Sequence, residues 1–312
     1  MTLIRLAVSA IYGWLFCQAS GWIDALLGTQ ISSFEDLWLV ATGCIFAVVQ
    51  GLFLRASSQL RKQNTRELAA WRAAGYADPD AISRNAFTAH VGEGRGSAFM
   101  LRGDIIVTNR HVAKEASGGI LRLDNIHGTD VDARVTHLAR EGEPDLAFAR
   151  LSYKRIMAAG LPLATEEPKK GDKLLIIGHP LGRPQGYQSV VTVNDIGTYG
   201  ATNRRHKLSK FTMLMALPGV VIAVLLGAGL ASKTSNSIVY AYKGDTAGGN
   251  SGSPVVNTKG EVVGVHFAGT GFYFFARERQ GVCVSLGDLK SALYRSGLAQ
   301  PYTLPRNGPS GI

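Results

Sequence analysis

Cysteine is scarce. The chain has three in 312 residues (Cys17, Cys44 and Cys283), and the first two lie inside apolar stretches, which excludes a disulfide framework. Proline is scarce too, 11 against 37 glycines, so punctuation by glycine points to turn-rich β structure and away from a helical bundle. Charged residues make up only 18%, low for a soluble domain, while 46% hydrophobic residues exclude disorder. Acids are also short relative to bases, 23 against 33, leaving a net charge of +10. Such a surplus suits nucleic acid or an anionic membrane surface. The bases gather at Arg55, Arg61, Lys62 and Arg66, and again at Arg204, Arg205, Lys207 and Lys210. Both clusters adjoin long apolar runs and lack interleaved aromatics, so membrane lipid is the expected partner and nucleic acid is not.

Three apolar runs are present. Residues 6–23 are diluted by Ser9, Tyr12, Gln18 and Ser20, whereas residues 37–54 are 18 uncharged residues with one glutamine. The second run approaches the roughly 20 residues that a spanning helix needs. No clean cleavage site follows the first, which argues against a secretory signal. The loop between them carries Asp24, Glu35 and Asp36 but no base, and four bases follow residue 54. By the positive-inside rule, everything after Arg55 is expected on the cytoplasmic side of the membrane. The expected organisation is a membrane anchor of one or two helices over 1–54, a basic helical linker over 55–86, a globular domain over 87–298 and a tail over 299–312. The third run, residues 211–232, is 22 uncharged residues with Pro218 and three glycines. It lies inside an insertion over 203–236.

The linker places Leu68, Trp71 and Ala74 at helical spacing, and Asp78-Pro79 reads as its end. From Phe87 onward short alternating runs are separated by Gly, Asp and Asn, among them SAFML, DIIVTN, GILRL, ARVTHL, LAFARL, KLLIIG, QSVVTV, SIVYAY, SPVVN, EVVGVHF, FYFFA and GVCVSL. Such a series describes an all-β sandwich or barrel pair. An amphipathic stretch from Gly287 to Ser296 predicts one closing helix.

Three positions carry chemistry. Gly248-Gly249-Asn250-Ser251-Gly252-Ser253-Pro254 sets a serine in a glycine-rich turn between β runs. Such a turn leaves successive N–H groups aimed where an oxyanion would form, with Gly249 and Ser251 as donors and Ser251 as nucleophile. A serine hydroxyl needs a base, and His111, ending the apolar strand DIIVTNRHV, has the side chain for it. Asp145, just before LAFARL, is placed to orient that imidazole, with Asp124, Asp130 and Asp132 as rivals of weaker context. The order along the chain is His, Asp, Ser.

With these residues in view, GSAFMLRGDIIVTNRHV, PDLAFARL, GDKLLIIGHPLG and GGNSGSPVVNTKGEVVGVHFAG resemble the corresponding blocks of bacterial trypsin-like serine peptidases. The last block is most similar to the glutamyl-endopeptidase branch, and the likeness covers roughly residues 87–292. The resemblance implies a chymotrypsin-like double β-barrel with a C-terminal helix, and hydrolysis of a polypeptide substrate through an acyl-enzyme without cofactor or metal. It makes His111 general base, Asp145 orienter and Ser251 nucleophile.

The specificity residues conflict. His266, in GVHFAG, falls on the strand that walls the primary specificity pocket, and with Thr246 it matches the pair that binds an acidic side chain in the glutamyl branch. Asp245, six residues before Ser251, matches the acid with which trypsins select Lys or Arg. An Asp245–His266 pair that neutralised itself would leave a pocket for neutral residues. His179, in GHPLG, reads as structural.

Two departures from the pattern stand out. The insertion over 203–236 interrupts the second barrel, where it is expected as a membrane dip, a gate or a packed helical hairpin. No activating dipeptide precedes Gly96-Ser97, so activity without a zymogen switch is expected, as is the absence of an appended HtrA-type peptide-binding domain. Two further functions compete with the endopeptidase: an inactive peptide-binding adaptor at the membrane, and the protease of a viral polyprotein.

Overall fold

The computed structural model describes residues 58–59, 62–92, 94–102, 104–152, 159–179, 187–198, 237–244, 249–270 and 280–298. By internal contacts the chain divides into two units, Met1–Lys62 and Gln63–Ile312. Every described strand belongs to the second unit. The anchor over 1–54, the insertion over 203–236, the tail over 299–312, the run FYFFA, Asp245 and Thr246 lie outside the described residues. Among the described residues no helix is long and apolar enough to cross a membrane.

Twelve strands are described: β1 Ala86–Val91, β2 Gly94–Leu101, β3 Ile105–Thr108, β4 Ile120–Asp124, β5 Asp130–Leu138, β6 Ala147–Leu151, β7 Lys173–Gly178, β8 Tyr187–Thr198, β9 Ile238–Lys243, β10 Pro254–Val256, β11 Val262–Thr270 and β12 Gln280–Ser285. They close into two six-stranded antiparallel barrels, ordered β1-β2-β3-β6-β5-β4 and β10-β11-β12-β9-β8-β7. Closure removes the unpaired edges that would expose backbone donors and acceptors. Each barrel fills its own interior. Phe87, Met100, Ile106 and Leu123 are buried in the first, and Leu174, Val191, Tyr242 and Val263 in the second. A third cluster welds the barrels together through Phe99, Val107, Phe148, Leu175, Ile177 and Val265.

Strand β1, AFTAHV, was not among the expected strands. Five of its six residues are buried, so it lacks the in-out alternation that marks a half-exposed strand. Residues 63–73 form helix α1, which is packed down by Trp71 (1% exposed). The Trp71 indole N–H donates to the Ala77 carbonyl (2.9 Å). Asn64 reaches β8, donating to Gln188 O (2.8 Å) and accepting from Val190 N (3.3 Å). Asp78-Pro79 does not merely end a helix; it starts one. Asp78 Oδ1 caps the Asp80 N–H (3.0 Å), and Pro79 opens helix α2, Pro79–Ser83. Arg110–Ala113 forms the short helix α3. The closing helix α4, Leu286–Arg295, buries Leu286, Leu289, Ala292 and Leu293 on one face and is capped by the Ser285 hydroxyl (3.1 Å to Asp288 N).

Candidate active site

Pairing of β3 with β6 brings the first two site residues together. Thr108 opposes Ala147, so the residues leaving β3 run alongside those entering β6. There the His111 Nδ1–H donates to Asp145 Oδ2 (2.5 Å) and the His111 backbone N–H donates to Asp145 Oδ1 (3.0 Å). The carboxylate thus caps the first turn of α3 while orienting its imidazole. Asn109, the formal N-cap, makes no capping bond with its side chain; its Nδ2 donates to the Asp145 carbonyl instead (2.8 Å) and holds the acid in place. With Nδ1 committed to the carboxylate, Nε2 is left as the acceptor nitrogen of the neutral ring. Of the rival acids, Asp124 pairs with His90 (3.1 Å), away from His111.

Ser251 stands in the turn before β10. Its hydroxyl donates to the Phe267 carbonyl on β11 (3.3 Å). Gly249 and Gly252 take φ of +95° and +89°, which only glycine adopts at low cost. The turn is pinned at Asn250 O by Ser253 N (2.9 Å), at Gly252 N by His266 O (2.8 Å) and at Ser251 O by Ser97 N (2.7 Å). Among the described residues no group accepts from the N–H of Gly249 or Ser251. His111 and Ser251 line one cleft of about 520 Å³ with Gly249, Val112, Glu115 and the β1–β2 turn. Among the described residues no cluster of three or more His, Cys, Asp or Glu side chains is arranged to hold a metal.

His266 is buried on β11, and its Nδ1 meets the hydroxyl of the fully buried Tyr242. Burial, with the nearby His111 adding to it, pushes the imidazole down to about 3, while burial pushes the Tyr242 phenol up. Tyr242 therefore keeps its proton. No other acceptor for it lies among the described residues, so it donates to Nδ1 and the hydrogen of neutral His266 sits on Nε2. Tyr242 was invisible in the sequence, where it reads as one alternate residue of a strand. His179 is buried, and its backbone N–H donates to the Ser97 hydroxyl (3.1 Å).

The shift at His266 has a consequence for stability. Its folded value lies below the unfolded one, so between about pH 6.5 and 3 the unfolded chain binds the proton that the folded chain refuses. Stability attributable to this residue is therefore present above pH 6.5 and drains away on acidification. Thermal melts at pH 7 and pH 4.5 are expected to show a larger drop for wild type than for His266→Asn, whose Oδ1 still accepts from Tyr242. Equal drops in the two proteins would contradict the assignment.

A search of curated proteins found no match. Among solved structures, the Rv3671c protease from M. tuberculosis in its active form aligns at 17% identity and a TM-score of 0.51, covering 72% of this chain and 90% of its own. The HtrA-type protease AlgW with tripeptide aligns at 18% identity and TM-score 0.51, over 70% of this chain and 62% of AlgW. At such identities the likeness concerns the fold, an all-β chymotrypsin-like double barrel with a C-terminal helix. The model of the trypsin-like peptidase domain matches residues 96–265, more than half of the chain. The chain belongs to the trypsin-like peptidase domain family and carries a serine peptidase domain.

Proposed function

We propose that the chain is a membrane-tethered serine endopeptidase working through His111, Asp145 and Ser251. The observation that carries this reading is the two-point bond between Asp145 and His111 facing a cleft shared with Ser251. As substrate enters, the Ser251 hydroxyl turns from Phe267 O to His111 Nε2 and passes its proton there while Oγ bonds to the carbonyl carbon. The carbonyl electron pair moves onto oxygen, held by the N–H groups of Gly249 and Ser251. Collapse breaks the C–N bond, and His111 delivers its proton to the leaving amine. Water then repeats the sequence on the acyl-enzyme, with His111 again as base.

The cleft favours an endopeptidase. It is lined by His111, which would protonate the leaving amine, and by the β1–β2 turn, over which a chain continuing past the scissile bond would lie. On the acyl side we read a preference for an acidic residue. The tautomer that Tyr242 imposes makes His266 Nε2–H a neutral donor one residue from the carbonyl that holds Ser251, and a carboxylate accepts from it without requiring a buried imidazolium. The membrane tether rests on the uncharged run at 37–54 with its basic flank, and the insertion over 203–236, with bases at both ends, suits a second contact with anionic lipid on the cytoplasmic face.

Fluorophosphonate labelling of the full-length protein in detergent tests the mechanism. Wild type should become labelled and Ser251→Ala should not, with unchanged melting; a peptide library then reads the preference. Undiminished labelling of Ser251→Ala would remove Ser251 from the reaction.

A further inference from the structure

We infer that Ser97 is the positioning residue of the oxyanion donors, a role that rests on reading Ser251 as nucleophile. Ser97 lies on β2, in the other barrel from the serine turn, and is fully buried. Every polar atom of this residue is engaged. Its N–H donates to Ser251 O (2.7 Å), and its carbonyl accepts from Thr108 Oγ1 (2.7 Å). Its hydroxyl accepts from His179 N (3.1 Å) and donates to Gly249 O (2.8 Å). The His179 N–H occupies the acceptor side of the oxygen, so the hydroxyl proton goes to Gly249.

The bond to Gly249 matters because of where it falls. Peptide units 250–251 and 251–252 are held by other bonds, from Ser253 N to Asn250 O, from Ser97 N to Ser251 O and from Gly252 N to His266 O. Unit 249–250 is held among the described residues by the Ser97 hydroxyl alone. The Gly249 N–H belongs to the preceding peptide unit and is joined to this fixed frame through unit 249–250; Gly249 has no Cβ to restrict that joint, so a tilt of the unit about the Gly249 ψ and Asn250 φ carries the Gly249 N–H away from the oxyanion. An oxyanion hole works by being aimed before charge develops, so loosening one donor costs rate and leaves ground-state binding alone. Removing an oxyanion donor outright typically costs about 10²- to 10³-fold in kcat; loosening one that is still present should cost about 10- to 100-fold.

The test uses full-length protein in detergent with four forms: wild type, Ser97→Ala, Thr108→Val and Ser251→Ala. Thr108→Val removes a buried bond to the same residue, the one at its carbonyl, and leaves the hydroxyl on Gly249. For Ser97→Ala, kcat should fall about 10- to 100-fold with KM within twofold. A peptidyl trifluoromethyl ketone, whose hemiketal oxygen needs both donors, should weaken by the same factor as kcat/KM, while the cleaved product peptide should bind as before. Thr108→Val, with a comparable loss of melting temperature, should retain kcat within about threefold. Equal kcat losses in the two variants, a change confined to KM, or an unchanged ketone affinity would each overturn the positioning role. Turnover persisting in Ser251→Ala would instead overturn the nucleophile reading on which it rests.

Discussion

Asp145→Asn is expected to lower kcat by about 10⁴-fold while the protein melts near the wild-type temperature. The amide can satisfy both of its neighbours. Its oxygen still accepts from the His111 backbone N–H, now at 3.0 Å, and its Nδ2 faces the imidazole nitrogen that is now bonded at 2.5 Å. Capping of α3 and the Asn109 bond to the Asp145 carbonyl therefore survive. What changes is the tautomer. An amide N–H facing Nδ1 forces that nitrogen to accept, the proton moves to Nε2, and the nitrogen proposed to receive the Ser251 proton becomes a donor. A base that already holds a proton cannot take another, and the imidazolium formed during reaction loses its counter-charge. Steady-state kinetics beside a melting curve decide the matter: a loss below about tenfold would mean that another group orients His111.

Gly252→Ala should be the most damaging small substitution in the site. A Cβ there would lie 1.9 Å from the Ser97 carbonyl oxygen, 2.9 Å from the carbon of the same carbonyl and 2.5 Å from Thr108 Oγ1, at a φ of +89°. Two of these three contacts are backbone in the centre of a strand, which cannot yield without breaking its pairing. Strain at such a φ costs about 1–3 kcal/mol, and displacing Ser97 adds the loss of its bonds to the serine turn. The combined expectation is a destabilisation of about 3–5 kcal/mol, or a melting midpoint lower by roughly 6–20 °C, with activity gone. A variant that melted within about two degrees of wild type and still turned over would show that the turn tolerates a different path through the site.

Much of the fold was legible because strand signals are local. KLLIIG, SIVYAY, EVVGVHF and GVCVSL alternate or run apolar between glycine punctuation, and each corresponds to a strand. The closing helix, expected from Gly287 to Ser296, is observed at Leu286–Arg295 because its apolar spacing and serine cap are both short-range. The signal failed where burial removed contrast, as in AFTAHV, and where a proline after aspartate was read as an end when the aspartate caps a new helix.

The chemistry divides along the same line. By itself the sequence determined which residue types were on offer: a serine among glycines, a histidine closing one strand and an acid opening another, in a family-specific order. It also chose Asp145 over its rivals by context, and the β3–β6 register delivers that acid to His111. Only the tertiary structure decided the partners reached between distant strands. Ser97 lies 152 positions from the glycine carbonyl it holds, and Tyr242 lies 24 from the histidine whose tautomer it sets. Hydrogen bonds of that kind leave no period or spacing in the chain, because their geometry exists only once the second barrel has closed, for Tyr242, and once the two barrels have packed together, for Ser97.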